Sequence, residues 1–422
     1  MLQLDLYPGE ALGPFKLGAS LWSILAFVRQ PQSKTLFPSV KISYDTNSSS
    51  TSIILVHLHP HIDLLFSGKG QRLHTIAIRR LRHGLPSSPR PAQQPLSLPS
   101  TSSGSRGSTS QNRSVAGTIS TLVIRYKRVI ISSADETLRR GGVMRHFGPT
   151  YEGETMRYPG VTFMFDDETP ASSSLGSGGG SMRRAIDVAD ENKRAEVRKI
   201  VIMQRGDGRE QVDAFEEVLE HPIMNGDLKR VVIKVNQGID MYFYPSSLSP
   251  SPRKLLLGQS SAEDIRYELG EPMSVHYKDD DRITIHGASD HESDPSLNSY
   301  FMNYFNHGID FLIDGQSHLL KKIVLHSNTV GSPLFQRYKR CLWEIADPSG
   351  DSSGRAVTYA DTLEDHKSFL GQISEASQPM ELDRSEEYEA LSIPAYFTRL
   401  LGFEGIILES TTAGHVVAVT IY

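Results

Sequence analysis

Apolar positions recur along this chain in one order. A short segment of helical period is closed by glycine, an alternating strand and a polar turn follow, and the last strand reads apolar-x-x-apolar-x-apolar. That last strand occurs as Leu73, Ile76, Ile78; as Val197, Ile200, Ile202; as Leu320, Ile323, Leu325; and as Val416, Val419, Ile421. The strand before it alternates in Ile62, Leu64, Phe66; in Val161, Phe163, Phe165; and in Ile309, Phe311, Ile313. Alternation of this kind predicts strands with one face on a core. The same spacing also fits Ile119, Leu122, Ile124 and Leu228, Val231, Ile233, so it is the order of elements that carries weight.

The helices are marked at both ends. A Ser or Thr with an acidic residue three places on satisfies the unpaired amides of a first turn, which predicts starts at Ser133-Ala-Asp-Glu136, Ser260-Ser-Ala-Glu263 and Thr358-Tyr-Ala-Asp361. Glycine supplies the left-handed conformation that closes a helix, which predicts ends at Gly148, Gly270 and Gly371. An earlier helix from about Ser20 to Arg29, before Pro31, lacks a capping pair.

The predicted fold is therefore α+β, with repeated units of a capped helix followed by antiparallel strands. The units are expected at 1–85, at 116–245 with a Ser/Gly-rich insertion at 168–196, at 256–345, and in divergent form at 346–422. Residues 86–115 and 171–181 have almost nothing apolar to bury and are expected to be disordered. Residues 246–255 read as a linker. Ser88-Pro89, Ser249-Pro250 and Ser251-Pro252 are either proline-directed phosphorylation sites or simply loop markers.

Composition narrows the field only slightly. Of 422 residues, 38% are hydrophobic and 22% charged, which is ordinary for packed domains. A net charge of -5 gives no global footprint for nucleic acid. The single cysteine, Cys341, excludes an intrachain disulfide framework. The opening Met1-Leu-Gln-Leu-Asp-Leu-Tyr-Pro lacks the pattern of a secretory leader, and no apolar run approaches the roughly 18 residues of a membrane span. The expected compartment is cytoplasmic.

No constellation of nucleophile and base, paired acids or cofactor loop stands out, so neither cofactor nor small-molecule substrate is expected. Ser67-Gly-Lys-Gly70 lacks the upstream glycine and following hydroxyl of a phosphate-binding loop. His57, His59 and His61 alternate as strand ligands for a metal would, although Pro60 interrupts them and a solvated face explains them as well. Asp279-Asp280-Asp281 with His286 and His291 offer hard-cation ligands or merely a soluble turn. Arg79, Arg80 and Arg82, Lys127 and Arg128, and Lys321 and Lys322 are basic clusters of the type that reads phosphoinositide headgroups, and equally of the type that protects edge strands.

The run Tyr300-Phe-Met-Asn-Tyr-Phe-Asn-His-Gly308 is the most distinctive string. As a strand it puts Phe301, Asn303 and Phe305 on one face, expected to be core. Tyr300, Met302 and Tyr304 then lie on the other, either covered or a candidate partner-binding surface.

The block from Ser260 to Trp343, with Leu-Gly-Glu-Pro, Tyr-Phe-Met-Asn-Tyr-Phe-Asn-His-Gly-Ile-Asp-Phe-Leu-Ile-Asp and Lys-Lys-Ile-Val-Leu-His-Ser-Asn, closely resembles the phagophore (phagosome) assembly factor family. The two ends, Met-Leu-Gln-Leu-Asp-Leu-Tyr-Pro and Gly-His-Val-Val-Ala-Val-Thr-Ile-Tyr, look like that family's ends. The Pro/Ser-rich insertions depart from compact members and mark a divergent, fungal-like form. The resemblance implies a non-enzymatic regulator of autophagy that works with a WD-repeat β-propeller partner and is recruited to phagophore membranes. In that picture phosphoinositide binding belongs mainly to the propeller. The unit also resembles the small helix-plus-sheet repeats of outer-membrane assembly lipoproteins and β-lactamase inhibitor proteins, in fold alone.

Overall fold

A computed structural model describes residues 2–45, 50–79, 122–133, 135–150, 154–165, 193–205, 217–248, 251–278, 298–332, 334–346, 356–372, 374–384 and 397–422. Outside them lie the sequence-predicted disordered insertions, Ser88, Ser249, the Asp279–Asp281 group with its two histidines, and Arg80 and Arg82.

The described strands form four sheets, and every pairing but two is antiparallel. The sheets fall into two sets of like design. In the first, strand Leu2–Tyr7 runs parallel to Leu122–Tyr126 at the middle of a 5-stranded sheet. Beside it a 7-stranded sheet is closed by Leu73–Ile78 against Val197–Met203, antiparallel. In the second, Leu228–Lys234 runs parallel to Trp343–Ile345 within 5 strands, and Leu320–His326 meets Val416–Ile421 antiparallel within 8. Each set has its own hydrophobic core, one built from residues between Leu2 and Ile202, the other from residues between Leu228 and Ile421.

The alternating residues explain the cores. Ile62, Leu64, Phe66, Phe163, Ile309, Phe311 and Ile313 are buried, as is every member of the four apolar-x-x-apolar-x-apolar strands. Burying each such side chain contributes about 1.5–3 kcal/mol. The matches that seemed to blur the pattern are strands too: Leu122 and Ile124, and Leu228, Val231 and Ile233, lie in the parallel pairs. Strands 228–234 and 238–243 thus share a sheet with Arg253–Leu256 and Trp343–Ile345 rather than with residues 116–203.

Helices Leu21–Arg29, Arg140–Phe147, Ala262–Leu269 and Leu363–Leu370 each precede one set of meander strands. The same isolated bridge ties each to its last strand: Ser20 to Arg72, Arg139 to Glu196, Ser261 to Leu319, Thr362 to His415. In every case the bridged residue is the helix N-cap, and its partner immediately precedes the final strand. The helix start is therefore fixed by the sheet.

That coupling corrects the predicted caps. Ser261 with Asp264, not Ser260 with Glu263, forms the reciprocal capping pair, and Ser260 Oγ instead accepts from the Leu256 amide. Thr362 with Asp365 caps the last helix, while Thr358 and Asp361 make the turn before it. Ser133 and Glu136 likewise close a turn, and the helix begins only after Arg139. Gly148 and Gly270 take positive φ as expected, but Gly371 ends its helix in the right-handed region.

Candidate interaction site

Tyr300, Met302 and Tyr304 lie in the core, at 7%, 0% and 0% exposure. Of the two alternatives for that face it is the covered one, while the face expected to be core, Phe301, Asn303 and Phe305, is only half-buried. The cause is the helix above: Tyr304 Oη donates to the Gly270 carbonyl at 2.8 Å, anchoring that face beneath Ala262–Leu269. Burial of the Tyr304 phenol pushes its pKa up, so it remains a donor.

The neighbouring strand, Ser274–Tyr277, supplies what those three do not. It is the outermost strand of its sheet, with Val275 opposite Met302 and Tyr277 opposite Tyr300. The face that is core at residues 300–304 therefore continues outward through Met273, Val275 and Tyr277, which among the described residues are left 53%, 41% and 54% exposed. Tyr277 rests against the Tyr300 ring, centroids 5.3 Å apart. Among the described residues no further strand pairs with this edge, and its Met and aromatic side chains are of the types enriched at protein interfaces.

The remaining candidates are occupied by structural partners. His57 Nδ1 lies 2.7 Å from Asp63 Oδ1, and Asp63 Oδ2 lies 2.7 Å from Arg79 Nε. The three histidines do not converge: His59 rides on the exposed end of strand Ile54–His59, while His61 is buried in the following turn. Among the described residues no group of three or more His, Cys, Asp or Glu converges as a metal site would require. Lys127 and Arg128 form a hairpin turn at positive φ. Lys321 pairs with Asp314 at 3.6 Å, and Lys322 sits over the Tyr422 ring.

Two buried polar clusters escaped the sequence reading because their members are far apart in the chain. Asp310 accepts from Tyr338 Oη at 2.7 Å and from Asn303 Nδ2 at 2.8 Å, and lies 2.8 Å from His326 Nε2. Burial would raise its carboxyl, but these hydrogen bonds and the His326 charge hold it below the usual range. His326 also stacks on Tyr338 at 3.6 Å. The geometry pins the segment after residue 326 to the sheet. No hydroxyl or thiol among the described residues meets His326 Nδ1, and burial pushes the Cys341 thiol up and keeps it protonated. Among the described residues no nucleophile is paired with His326.

The second cluster joins the two cores. Asp227 lies between Arg72 Nη1 and Lys339 Nζ, the latter at 2.7 Å. Burial opposes its charge, yet the two cations overcome burial and hold its carboxyl below the usual range. Arg340, next in sequence to Lys339, is buried and among the described residues donates to carbonyls, those of Ser327, Ser50 and Gly68 at 2.8, 2.7 and 2.6 Å among them. Burial pushes Arg340 down to about 10, which still leaves it charged.

Comparison with known proteins gives this architecture a family. The chain matches the family described as Phagosome assembly factor 1 over residues 116–422. It belongs to that family. Among relatives, a PHAF1 protein of Arabidopsis thaliana is 23% identical over 99% of this chain and 92% of its own length. A Caenorhabditis elegans PHAF1 protein is 27% identical over 72% of this chain and 75% of its own length. One from Drosophila melanogaster is 29% identical over 40% of this chain and 41% of its own length. No solved structure matches. The family match takes in the whole second core, including the aromatic strand, its open edge and the Asp310 pin.

Proposed function

We propose that this chain is a non-enzymatic interaction scaffold of autophagy, recruited to phagophore membranes, and that its partner is a WD-repeat β-propeller protein. The family description as an assembly factor supports the pathway. The observation that carries the scaffold reading is the row Met273, Val275, Tyr277, exposed among the described residues on the outermost described strand of the 8-stranded sheet. Propellers present short, protected strand edges and loops rather than deep pockets, and a flat sheet edge with Met and aromatic anchors suits such a partner. Direct lipid binding is less well supported as a second reading: Arg79 and Lys321 are in ion pairs, Lys322 lies over the Tyr422 ring, and Lys127 with Arg128 is a single pair at a hairpin turn, short of the several cations such binding needs.

The test is affinity purification from native cells, with partners identified by mass. Recovery of a WD-repeat protein with the native chain, and its loss from Met273→Ser/Val275→Ser/Tyr277→Ser with the unfolding midpoint unchanged, is the expected result. Met302→Ser, one strand inward, serves as contrast and should cost about 2–5 kcal/mol of stability. Undiminished capture by the triple variant would remove this edge from the interface, and capture of no WD-repeat protein would remove the partner.

A further inference from the structure

Strand Ser39–Tyr44 occupies in the first core the place that Ser274–Tyr277 occupies in the second, and its surroundings differ in charge. It is the outermost strand of the 7-stranded sheet, following helix Leu21–Arg29 and the short helix Pro31–Leu36. Its pairing sets Val40 opposite Leu58 and Ile42 opposite Val56, so both side chains take the core-facing side. Between them and the helix runs an open groove of about 570 Å³ whose apolar lining includes Leu25, Val28 and Phe37. Val40 is 39% exposed at its mouth. Among the described residues, strand 39–44 makes backbone hydrogen bonds to strand 54–59 and to no other backbone.

The rim is basic. Arg29 and Lys34 line the groove, and Lys41 is exposed on the opposite face of strand 39–44, between Val40 and Ile42. Arg29 is held in place from the second half, its Nη2 donating to Gln336 Oε1 at 2.6 Å. Lys34 and Lys41 have no ion-pair partner among the described residues. The sequence around the groove explains the field: residues 11–44 contain Lys16, Arg29, Lys34 and Lys41 with no Asp or Glu, in a chain of net charge -5. Gln336, which also lines the groove, lies in a sequence segment, 327–343, likewise free of acids. Asp45 follows the far end of the strand, and Asp63, two strands in, is occupied by His57 and Arg79.

We propose that this groove takes an extended acidic segment of a partner protein. The segment adds a strand to the open edge 39–43, sets an apolar side chain between Leu25, Val28 and Ile42, and presents carboxylates to Lys34 and Lys41. An extended peptide is favoured over a lipid because the open edge displays backbone donors and acceptors that only another strand satisfies along its length. The assignment does not depend on the propeller reading, which concerns the opposite half.

A displayed library of random peptides of about ten residues, selected on the full chain, provides the test. Sequences alternating apolar residues with Asp or Glu should be enriched. A synthetic enriched peptide should lose about tenfold in affinity on Lys34→Glu/Lys41→Glu and should weaken as salt rises. On binding it should slow amide exchange at residues 39–43. The variant Met273→Ser/Val275→Ser/Tyr277→Ser should bind it unchanged, which separates this site from the other edge. Enriched peptides without acidic bias, or affinity indifferent to the charge reversal, overturn the proposal. So does a reversal whose sole effect is release from phosphatidylserine vesicles, since the groove would then be a membrane contact.

Discussion

His307 shows how far a single buried side chain sets a measurable property. It closes the turn after Tyr304 at 8% exposure, edge-on to the Phe243 ring with centroids 6.2 Å apart. Burial, aided by the nearby Lys339 charge, pushes its pKa down to about 4 from 6.5. The folded state therefore binds a proton less readily than the unfolded state, so stability is complete above the unfolded value and declines as pH falls toward 4. The decline reaches about 2 kcal/mol near pH 5. Asp227 and Asp310, both held below 3.8, contribute only at lower pH, so the windows separate. Urea midpoints measured at about pH 7 and about pH 5 should show this slope, and His307→Leu should reduce it while His366, also pushed down by burial, preserves a remainder. An undiminished slope in His307→Leu would show that the ring is not the buried neutral group. None of this was legible beforehand, because a histidine beside glycine reads as a turn residue until the fold covers it. The aromatic run shows the same limit: residues 300–305 carry aromatics on both faces, so periodicity identifies the strand but cannot choose its inner face. The choice was made by the helix ending at Gly270, whose carbonyl takes the Tyr304 hydroxyl.

At the scale of elements, the strands were read well and the helix starts less well, for one physical cause. Strand periodicity is a property of the core face and survives in the sequence, as the four buried apolar-x-x-apolar-x-apolar strands show. A capping pair is degenerate here: Ser260 with Glu263 and Ser261 with Asp264 are equally good written side by side. What selects between them is the backbone bridge from Ser261 to Leu319, a contact across dozens of residues. The consequence is specific. Asp264 Oδ2 accepts from the Ser261 amide at 2.7 Å, and those hydrogen bonds hold its carboxyl below the usual range, whereas Glu263 is 80% exposed. Ser261→Ala and Asp264→Ala should each cost about 1 kcal/mol, while Glu263→Ala should cost no more than about 0.5 kcal/mol. Chemical denaturation distinguishes the two, and a larger loss at Glu263 would restore the register read from sequence.

At the scale of the molecule, the question is whether two separate hydrophobic cores behave as one. Their contact combines Val330 and Phe335 of the second half, packed against the first core, with a buried polar network. Arg340 comes from the segment that links strands 320–326 and 343–345 of the second half, yet it donates to the carbonyls of Ser50, Gly68 and Lys69 in the first. Gln71 Nε2 donates to the Asn328 carbonyl at 3.0 Å, and Asn328 Nδ2 returns a bond to Gln71 Oε1 at 2.7 Å. Each of these groups is desolvated, so it is satisfied only while both halves are folded and docked. Unfolding of one half exposes the other's half of the network, which couples the two transitions. The only tryptophans lie one in each half, Trp22 on the first helix, its Nε1 donating to the Arg337 carbonyl, and Trp343 in the second core. One therefore reports the first half with its docking contact and the other the second core. Single-tryptophan variants Trp22→Phe and Trp343→Phe should give coincident denaturation curves in the native background. Arg340→Met leaves several buried carbonyls without a donor and should cost about 3 kcal/mol. In that background the two curves should separate, the half reported by Trp22 melting apart from the half reported by Trp343. Curves that stay coincident despite the loss would locate the coupling outside this network, in the Val330 and Phe335 contacts or in the Asp227 ion pairs with Arg72 and Lys339, for which Asp227→Asn is the corresponding substitution.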